Sequence, residues 1–272
     1  MADADHMQGE PPTGSTKYSA PALEKGFDVV ELLAGEPGGL TISEIAVRLG
    51  LTISQIFRMI VVMERRGWLF KDGGSDRYRV SYKVLELAYR ATPAQQLAHV
   101  ATPVMHALAE AAEQSCHLVV QHGDRAMILL RQENPGPIGL SVRLGTMVDL
   151  VASSSGHVLL AFASSDALEA TLARCRYPDH LGEEALRTVL ARVRSRGFEL
   201  MPSAKAAGVR DISYPIFGFD GGVAAALTIP FLEFIDGSQA VGFDAVQDLL
   251  ASSARRISQA LGHAQTSGPL AG

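Results

Sequence analysis

The feature that most restricts the fold is a pair of helix-start signals in close succession. Thr41 is followed three residues later by Glu44, and Thr52 by Gln55. Each threonine can cap a helix whose third residue reaches back to complete a capping box. Gly50, between them, admits a tight turn that a side chain resists. The first cap opens a helix with Ile45, Ala46 and Leu49 on one face. The second opens a helix with Ile56, Met59, Ile60 and Met63 facing inward, ended by Gly67. Upstream, Leu23, Phe27, Val30 and Leu33 share a face of a helix that starts near Pro21 and stops in the run containing Gly35, Pro37, Gly38 and Gly39. Downstream, two short β runs, 68–71 and 77–80, flank a glycine-rich turn at 72–76 and form a hairpin. Three helices and a hairpin, with a four-residue turn between the second and third helices, make a winged helix-turn-helix over 19–80. Two capped helices within an α/β domain are the alternative; the short turn and the following hairpin favour the winged form.

The remaining chain divides around this motif. Residues 1–18, rich in Pro, Gly, Ser and Thr, are expected to be a disordered arm, and 265–272 a flexible tail. An amphipathic stretch with Val84, Leu87 and Ala88 ends before Pro93, a linker helix over 81–93. In 94–264, Thr102 and Pro103 form a cap and first-turn proline opening a helix over 104–114. Strands are predicted at 117–121, 126–131 and 138–142. Helices follow near 156–162, 167–173 and 183–196. A hairpin at 209–217 and 223–229 precedes a last helix at 243–261. Hairpin-paired strands with helices between and after them indicate an α+β domain on an antiparallel sheet.

Composition narrows the function classes. At 47% hydrophobic and 19% charged, the 272-residue chain can bury large cores and is not disordered as a whole. No apolar run reaches the length of about 18 residues needed to span a membrane. The acidic, polar start is unlike a signal peptide, so a cytoplasmic protein without a membrane partner is expected. Cys116 and Cys175 are too few for a disulfide framework and lack metal-ligand spacing. The formal net charge is −5, but residues 45–90 carry nine basic and four acidic side chains. Salt screens beyond about 8 Å, so a polyanion senses such a local window rather than the total.

Catalysis has little support. Phosphate-binding, zinc-protease and nucleophile-elbow motifs are absent from the sequence. Ser153, Ser154 and Ser155 before Gly156 and His157 read as a helix start rather than a nucleophile with its base. Cys116 and His117 open a strand, where neighbours point to opposite faces. Accordingly no catalytic residue, metal or cofactor is predicted. The third helix carries sequence-reading chemistry instead. Its leading turn holds Ile53, Ser54, Gln55, Phe57 and Arg58. In a helix-turn-helix these positions reach base edges; Gln can address adenine and Arg guanine in bidentate fashion. Ile53 and Phe57 would leave apolar area for thymine methyls or sugars. Arg77 and Arg79 flank the wing turn and can lie along phosphates. A merely solvated helix face is the competing explanation.

These residues resemble the IclR-type bacterial transcriptional regulators. The likeness runs through PALEKGFDVV (21–30), GLTISEIAVRLGL (39–51), RRGWL (65–69), RYRV (77–80) and LELA (85–88). It continues through CHLVV (116–120), ASSSGHVLLA (152–161), RGF (196–198) and GVRDISYPIF (208–217), covering about 20–262. The resemblance implies an N-terminal winged helix-turn-helix, a linker helix and a GAF-like effector-binding domain. It also implies homodimers, often paired as dimers of dimers (homotetramers), on palindromic double-stranded operator DNA, with RNA polymerase as a partner of an activator. By position, Ser54, Gln55 and Arg58 match recognition-helix contacts, and Lys25 matches a basic residue that approaches phosphate. Ile53 departs from a position often polar or basic. The family's effector pocket falls on Ser154 and Ser155, Met201, Asp211, Thr228 and Pro230. Met201 stands where an acidic side chain is usual, Asp211 where a Cys is, and Pro230 where a hydroxyl is. The less polar pocket favours a small aromatic acid or derivative as effector, and a catabolic operon as target. The rivals are a small-molecule-binding protein or enzyme with a structural helix-turn-helix, and an architectural protein without an effector.

Overall fold

In the computed structural model, residues 19–91, 94–136, 138–178, 181–236 and 238–263 are described. The arm and tail expected over 1–18 and 265–272 lie outside them. The chain forms two compact units that divide between Thr92 and Pro93.

The first unit begins with α1 (Pro21–Ala34), where Pro21 occupies a first-turn position whose N–H has no helical acceptor. Next come α2 (Ile42–Arg48) and α3 (Ile53–Arg65). The predicted box at α2 is complete: the Glu44 amide donates to Thr41 Oγ1 at 3.3 Å, and the Thr41 amide to Glu44 Oε2 at 2.8 Å. Gly50 turns the chain at φ +65°. The wing is β1 (Leu69–Lys71) paired antiparallel with β2 (Tyr78–Val80). A bridge between Leu40 and Tyr78 ties it to the segment before α2. Behind that bridge lies Gly39, at φ +69°, where an added Cβ would stand 2.7 Å from the Tyr78 carbonyl oxygen. Val29, Leu33, Ile45, Ile56, Ile60 and Leu69 form the core. The face predicted for α1 needs correction. Val29 and Leu33 enter the core, whereas Leu23 and Phe27 are 59% and 56% exposed. With Met59, Val62 and Trp68 they line a groove of about 480 Å³ along α1 and α3. On α3, Ile56 and Ile60 are buried while Met59 and Met63 pack at the core's margin. The unit ends with α4 (Lys83–Ala91).

The second unit holds α5 (Ala94–Ala112), β3 (Cys116–His122), β4 (Arg125–Gln132), β5 (Met147–Asp149), α6 (Ser154–Ala161), α7 (Ser165–Leu172) and α8 (Glu183–Arg196). β6 (Glu199–Pro202), β7 (Val209–Phe217), β8 (Val223–Leu232) and α9 (Phe243–Ala260) complete it. The strands form one antiparallel sheet in the order β5-β4-β3-β8-β7-β6. One face packs Leu118, Ile212, Leu227 and Ile229 against Met105 and Leu108 of α5 and Val246 and Leu250 of α9. The other packs Val119, Ile128 and Ala226 against α6, α7 and α8. This is the α+β architecture expected: a helix-turn-helix unit followed by a helix-flanked antiparallel sheet.

Two local predictions are overturned. Thr102 and Pro103 do not start a helix; they lie within α5. Thr102 Oγ1 donates to the Ala98 carbonyl at 2.7 Å, and the proline is carried by an alanine-rich helix that packs along its length. The strand expected at 138–142 is absent there, since Ile138 is 55% exposed and the segment has no ladder partner. The edge position is taken by β5, which pairs through Met127↔Met147.

Candidate DNA-binding and effector-binding sites

α3 presents its leading turn outward. Ser54, Gln55 and Arg58 are exposed, with Ile53 at 45% and Phe57 at 53% exposure beside them. Arg58 makes no ion pair or hydrogen bond among the described residues. Gln55 is partly engaged, because its Oε1 accepts from the Thr52 amide at 2.9 Å and from Thr52 Oγ1 at 3.1 Å. Arg77 is engaged more fully. Its Nη1 donates to the Gly39 carbonyl at 2.8 Å and to Glu44 Oε2 at 3.0 Å, and its Nη2 to Glu44 Oε1 at 3.2 Å. The Glu44 carboxyl lies below the usual range, chiefly through the Thr41 amide, then through the Thr41 side chain and Arg77. A phosphate would have to compete with this fork. Arg79 lies across Gly39, its Nε buried and unpartnered. Lys25 is half-buried on α1. Sequence reasoning nominated Arg77 and Arg79 alike; the structure separates Arg77, held by a carboxylate, from Arg79, whose guanidinium makes no ion pair or hydrogen bond among the described residues.

In the second unit the predicted effector residues gather on the sheet face beneath α6. Ser153 caps this helix, its Oγ accepting from the Gly156 amide at 3.1 Å. A Cβ on Gly156 would stand 2.3 Å from the Leu150 carbonyl oxygen, so only glycine lets α6 lie this close to that backbone. The first-turn amides of Ser154 and Ser155 have no acceptor among the described residues and point out of the helix's positive end. Met201, Asp211 and Pro230 are successive register partners across β6, β7 and β8. The Asp211 carboxyl is pushed up by desolvation, partly offset by a hydrogen bond from Ser203. One level along, Glu199, Ser213, Thr228, His117 and Arg131 are register partners in turn, a polar row across five strands.

Most of that row is satisfied internally. Ser154 Oγ lies 2.8 Å from Ser213 Oγ, which lies 2.7 Å from Thr228 Oγ1, all three buried. The predicted contacts Ser154 and Thr228 are thus joined through Ser213, which sequence reasoning missed. Strict alternation in 209–217 could have found it, since Asp211 and Ser213 share a face. At the row's other end, His157 Nδ1 lies 2.9 Å from Glu199 Oε2 and Nε2 lies 2.7 Å from the Val151 carbonyl oxygen. Burial alone would raise the Glu199 carboxyl. The His157 hydrogen bond, the Leu200 amide and the His157 and Arg192 charges outweigh it and hold the carboxyl below the usual range. The His157–Glu199 pair was not singled out from the sequence, because its members are 42 residues apart, and neither was Arg192, which joins Glu199 from seven residues upstream. Cys116, on the opposite sheet face, has its thiol pushed up to about 12 by burial, which removes it as a nucleophile.

A family model described as "Bacterial transcriptional regulator IclR C-terminal" matches residues 89–259, and one described as "IclR helix-turn-helix domain" matches 22–73. The chain belongs to the IclR family of bacterial transcriptional regulators. Among curated relatives of this IclR-family chain, the HTH-type transcriptional regulator KdgR of Escherichia coli is 26% identical over 255 residues, covering 90% of this chain and 94% of that protein. BhcR of Paracoccus denitrificans is 28% identical over 244 residues, covering 87% and 86%. Among solved structures, the IclR protein of Thermotoga maritima is 25% identical with a TM-score of 0.66, covering 89% of this chain and 98% of that one. An IclR homologue from Microbacterium hydrocarbonoxydans, solved with 4-hydroxybenzoate, is 26% identical with a TM-score of 0.72, covering 88% and 98%. Both curated relatives are HTH-type transcriptional regulators. No helix among the described residues is long and apolar enough to cross a membrane, and no described group of His, Cys, Asp or Glu could hold a metal.

Proposed function

We infer that this regulator acts in the cytoplasm as a homodimer, paired further into a dimer of dimers, on a palindromic operator of a catabolic operon, without catalytic activity of its own. The observation that carries the reading is the exposed leading turn of α3, capped into shape and presenting an uncommitted Arg58 together with apolar Ile53 and Phe57. Ser54, Gln55, Phe57 and Arg58 face bases, while Lys25 and Arg79 meet phosphates, with Arg77 as a weaker phosphate contact. Leu23 and Phe27 on α1, and Tyr82 and Leu85 beside and on α4, leave apolar surface that a second copy would cover. The effector is a small aromatic acid or derivative. Its carboxylate takes the free amides of Ser154 and Ser155 at the positive end of α6. Its ring lies over Met201 and Pro230, with Asp211 and Thr228 at the polar margin. Support comes from the apolar substitutions at Met201 and Pro230 and from the homologue solved with 4-hydroxybenzoate. Effector binding in the second unit changes operator occupancy through α4, with a coupling of about 1–3 kcal/mol; an activator would also engage RNA polymerase.

The test is fluorescence anisotropy with the chain's own upstream intergenic DNA and random DNA, with and without aromatic acids, across a salt series. Tight, salt-steep binding that responds to an aromatic acid is expected. Equal, weak affinity for both DNAs under all conditions would sink the regulator reading. Selective binding indifferent to every acid would leave an architectural protein.

A further inference from the structure

The polar row beneath α6 has one member whose side chain makes no hydrogen bond among the described residues. Ser154, Ser213 and Thr228 form a hydroxyl chain in which each is bonded to a neighbour, and Glu199 is held by His157 and Arg192. At the row's opposite flank Arg131 pairs with Glu133 at 3.0 Å and donates to the Val142 carbonyl at 3.3 Å. Between Arg131 and Thr228 stands His117, register partner of both. Its neighbours in sequence, Cys116 and Leu118, enter the α5–α9 core, and Val119 enters the core beneath α6. Alternation therefore turns the His117 ring to the effector face. The ring is half-buried and makes no hydrogen bond among the described residues.

We propose that His117 is a specificity-determining residue of the effector site, taking a hydroxyl on the ring of an aromatic acid whose carboxylate sits at the α6 amides. The ring is half-buried, so solvent serves it in the free protein; a benzoate ring would cover it without offering a partner, and a polar group covered in that way is costly. Burial pushes the imidazole down to about 4, so at pH 7 it is neutral and offers one donor and one acceptor. Such a ring pairs with a neutral hydroxyl, which both gives and takes a hydrogen bond; it gives a carboxylate no charge to pair with. The effector class narrows accordingly from aromatic acids to hydroxylated aromatic acids. This inference rests on the effector reading above.

The experiment compares 4-hydroxybenzoate with benzoate by isothermal titration calorimetry on the full-length protein, with wild type, His117→Phe and His117→Gln. Wild type is expected to favour 4-hydroxybenzoate by roughly 10- to 100-fold, the scale of one buried hydrogen bond. His117→Phe should abolish that preference while leaving benzoate affinity within about twofold, and His117→Gln should restore part of it. Melting temperatures within about 2 °C of wild type confirm that each variant is folded. A folded His117→Phe that keeps the full preference overturns the role of His117 and leaves the aromatic-acid reading standing. Wild-type protein that binds neither compound overturns both. Equal wild-type affinity for the two compounds overturns the hydroxyl specificity alone.

Discussion

The His157–Glu199 pair makes the sharpest stability prediction, because its geometry leaves little freedom. Glu199 is fully buried and His157 nearly so, and both ring nitrogens are engaged, one with the carboxylate and one with the Val151 carbonyl. Glu199→Ala removes three partners at once: the imidazole at 2.9 Å, the Leu200 amide at 2.9 Å and Arg192 at 3.3 Å. Truncating one partner of a buried pair leaves the other uncompensated, at a cost of about 3–5 kcal/mol. For a unit of this size that is a drop of about 6–20 °C in melting temperature. The pH dependence has a definite sign. The Glu199 carboxyl lies lower in the folded than in the unfolded chain. Its contribution is therefore complete above the unfolded value of about 4.3 and is lost as pH falls through the folded one. Thermal melts of wild type and variant from pH 8 to pH 4 should show a full gap near neutrality that narrows on the acid side. A variant melting within about 2 °C of wild type at pH 7, or a gap that widens with acid, refutes the reasoning. Because the pair fixes α6 to β6, the same variant should weaken aromatic-acid binding along with stability.

Three further predictions use the other close contacts. Gly156→Ala forces a Cβ onto the Leu150 backbone; a loss of about 3 kcal/mol and 6–12 °C is expected by calorimetry, and an unchanged melt would show that α6 can shift freely. Arg77→Ala should lower the first unit's melting transition by a few degrees, because the fork onto Glu44 and the Gly39 carbonyl is lost, and reduce the salt slope of DNA binding by clearly less than one. Arg79→Ala should reduce that slope by about one; the opposite pattern would make Arg77 the phosphate contact. Arg58→Ala should cut the operator-to-random affinity ratio by roughly 10- to 100-fold, and Gln55→Ala by less; anisotropy showing the reverse order would make Gln55 the principal reader.

What was legible in the sequence is what is encoded within a few residues. The Thr41–Glu44 box, the turn at Gly50 and the span of α8 depend on neighbours along the chain, and the structure has them where the sequence puts them. Signals without a fixed partner misled. The strand predicted at 138–142 finds no ladder, while β5 is only three residues long and shows almost no pattern of its own. Leu23 and Phe27 had helical spacing but lie on the wrong side of α1, because periodicity specifies a stripe and not what covers it. In the effector face, the resemblance pointed to residues scattered between 154 and 230. The row that joins Glu199 to Arg131 depends on register across five strands, which no local pattern carries.

The energetics of α3 bear on how many copies must act together. A bidentate contact from Arg58 is worth about 1–3 kcal/mol of discrimination. Gln55 offers less than its chemistry promises. Reading adenine with both amide atoms releases the Thr52 groups now bonded to Oε1, forfeiting part of a cap worth about 0.5–2 kcal/mol. Arg77 would likewise have to surrender Glu44 before meeting a phosphate. One copy therefore commands only a few kcal/mol of sequence preference, against the 4–10 kcal/mol by which specific binding typically exceeds non-specific. Two copies on a two-fold site reach that range without new side chains. The surface left apolar along α1 and α3 is of the kind such pairing would bury, so recognition and self-association place linked demands on the same small unit.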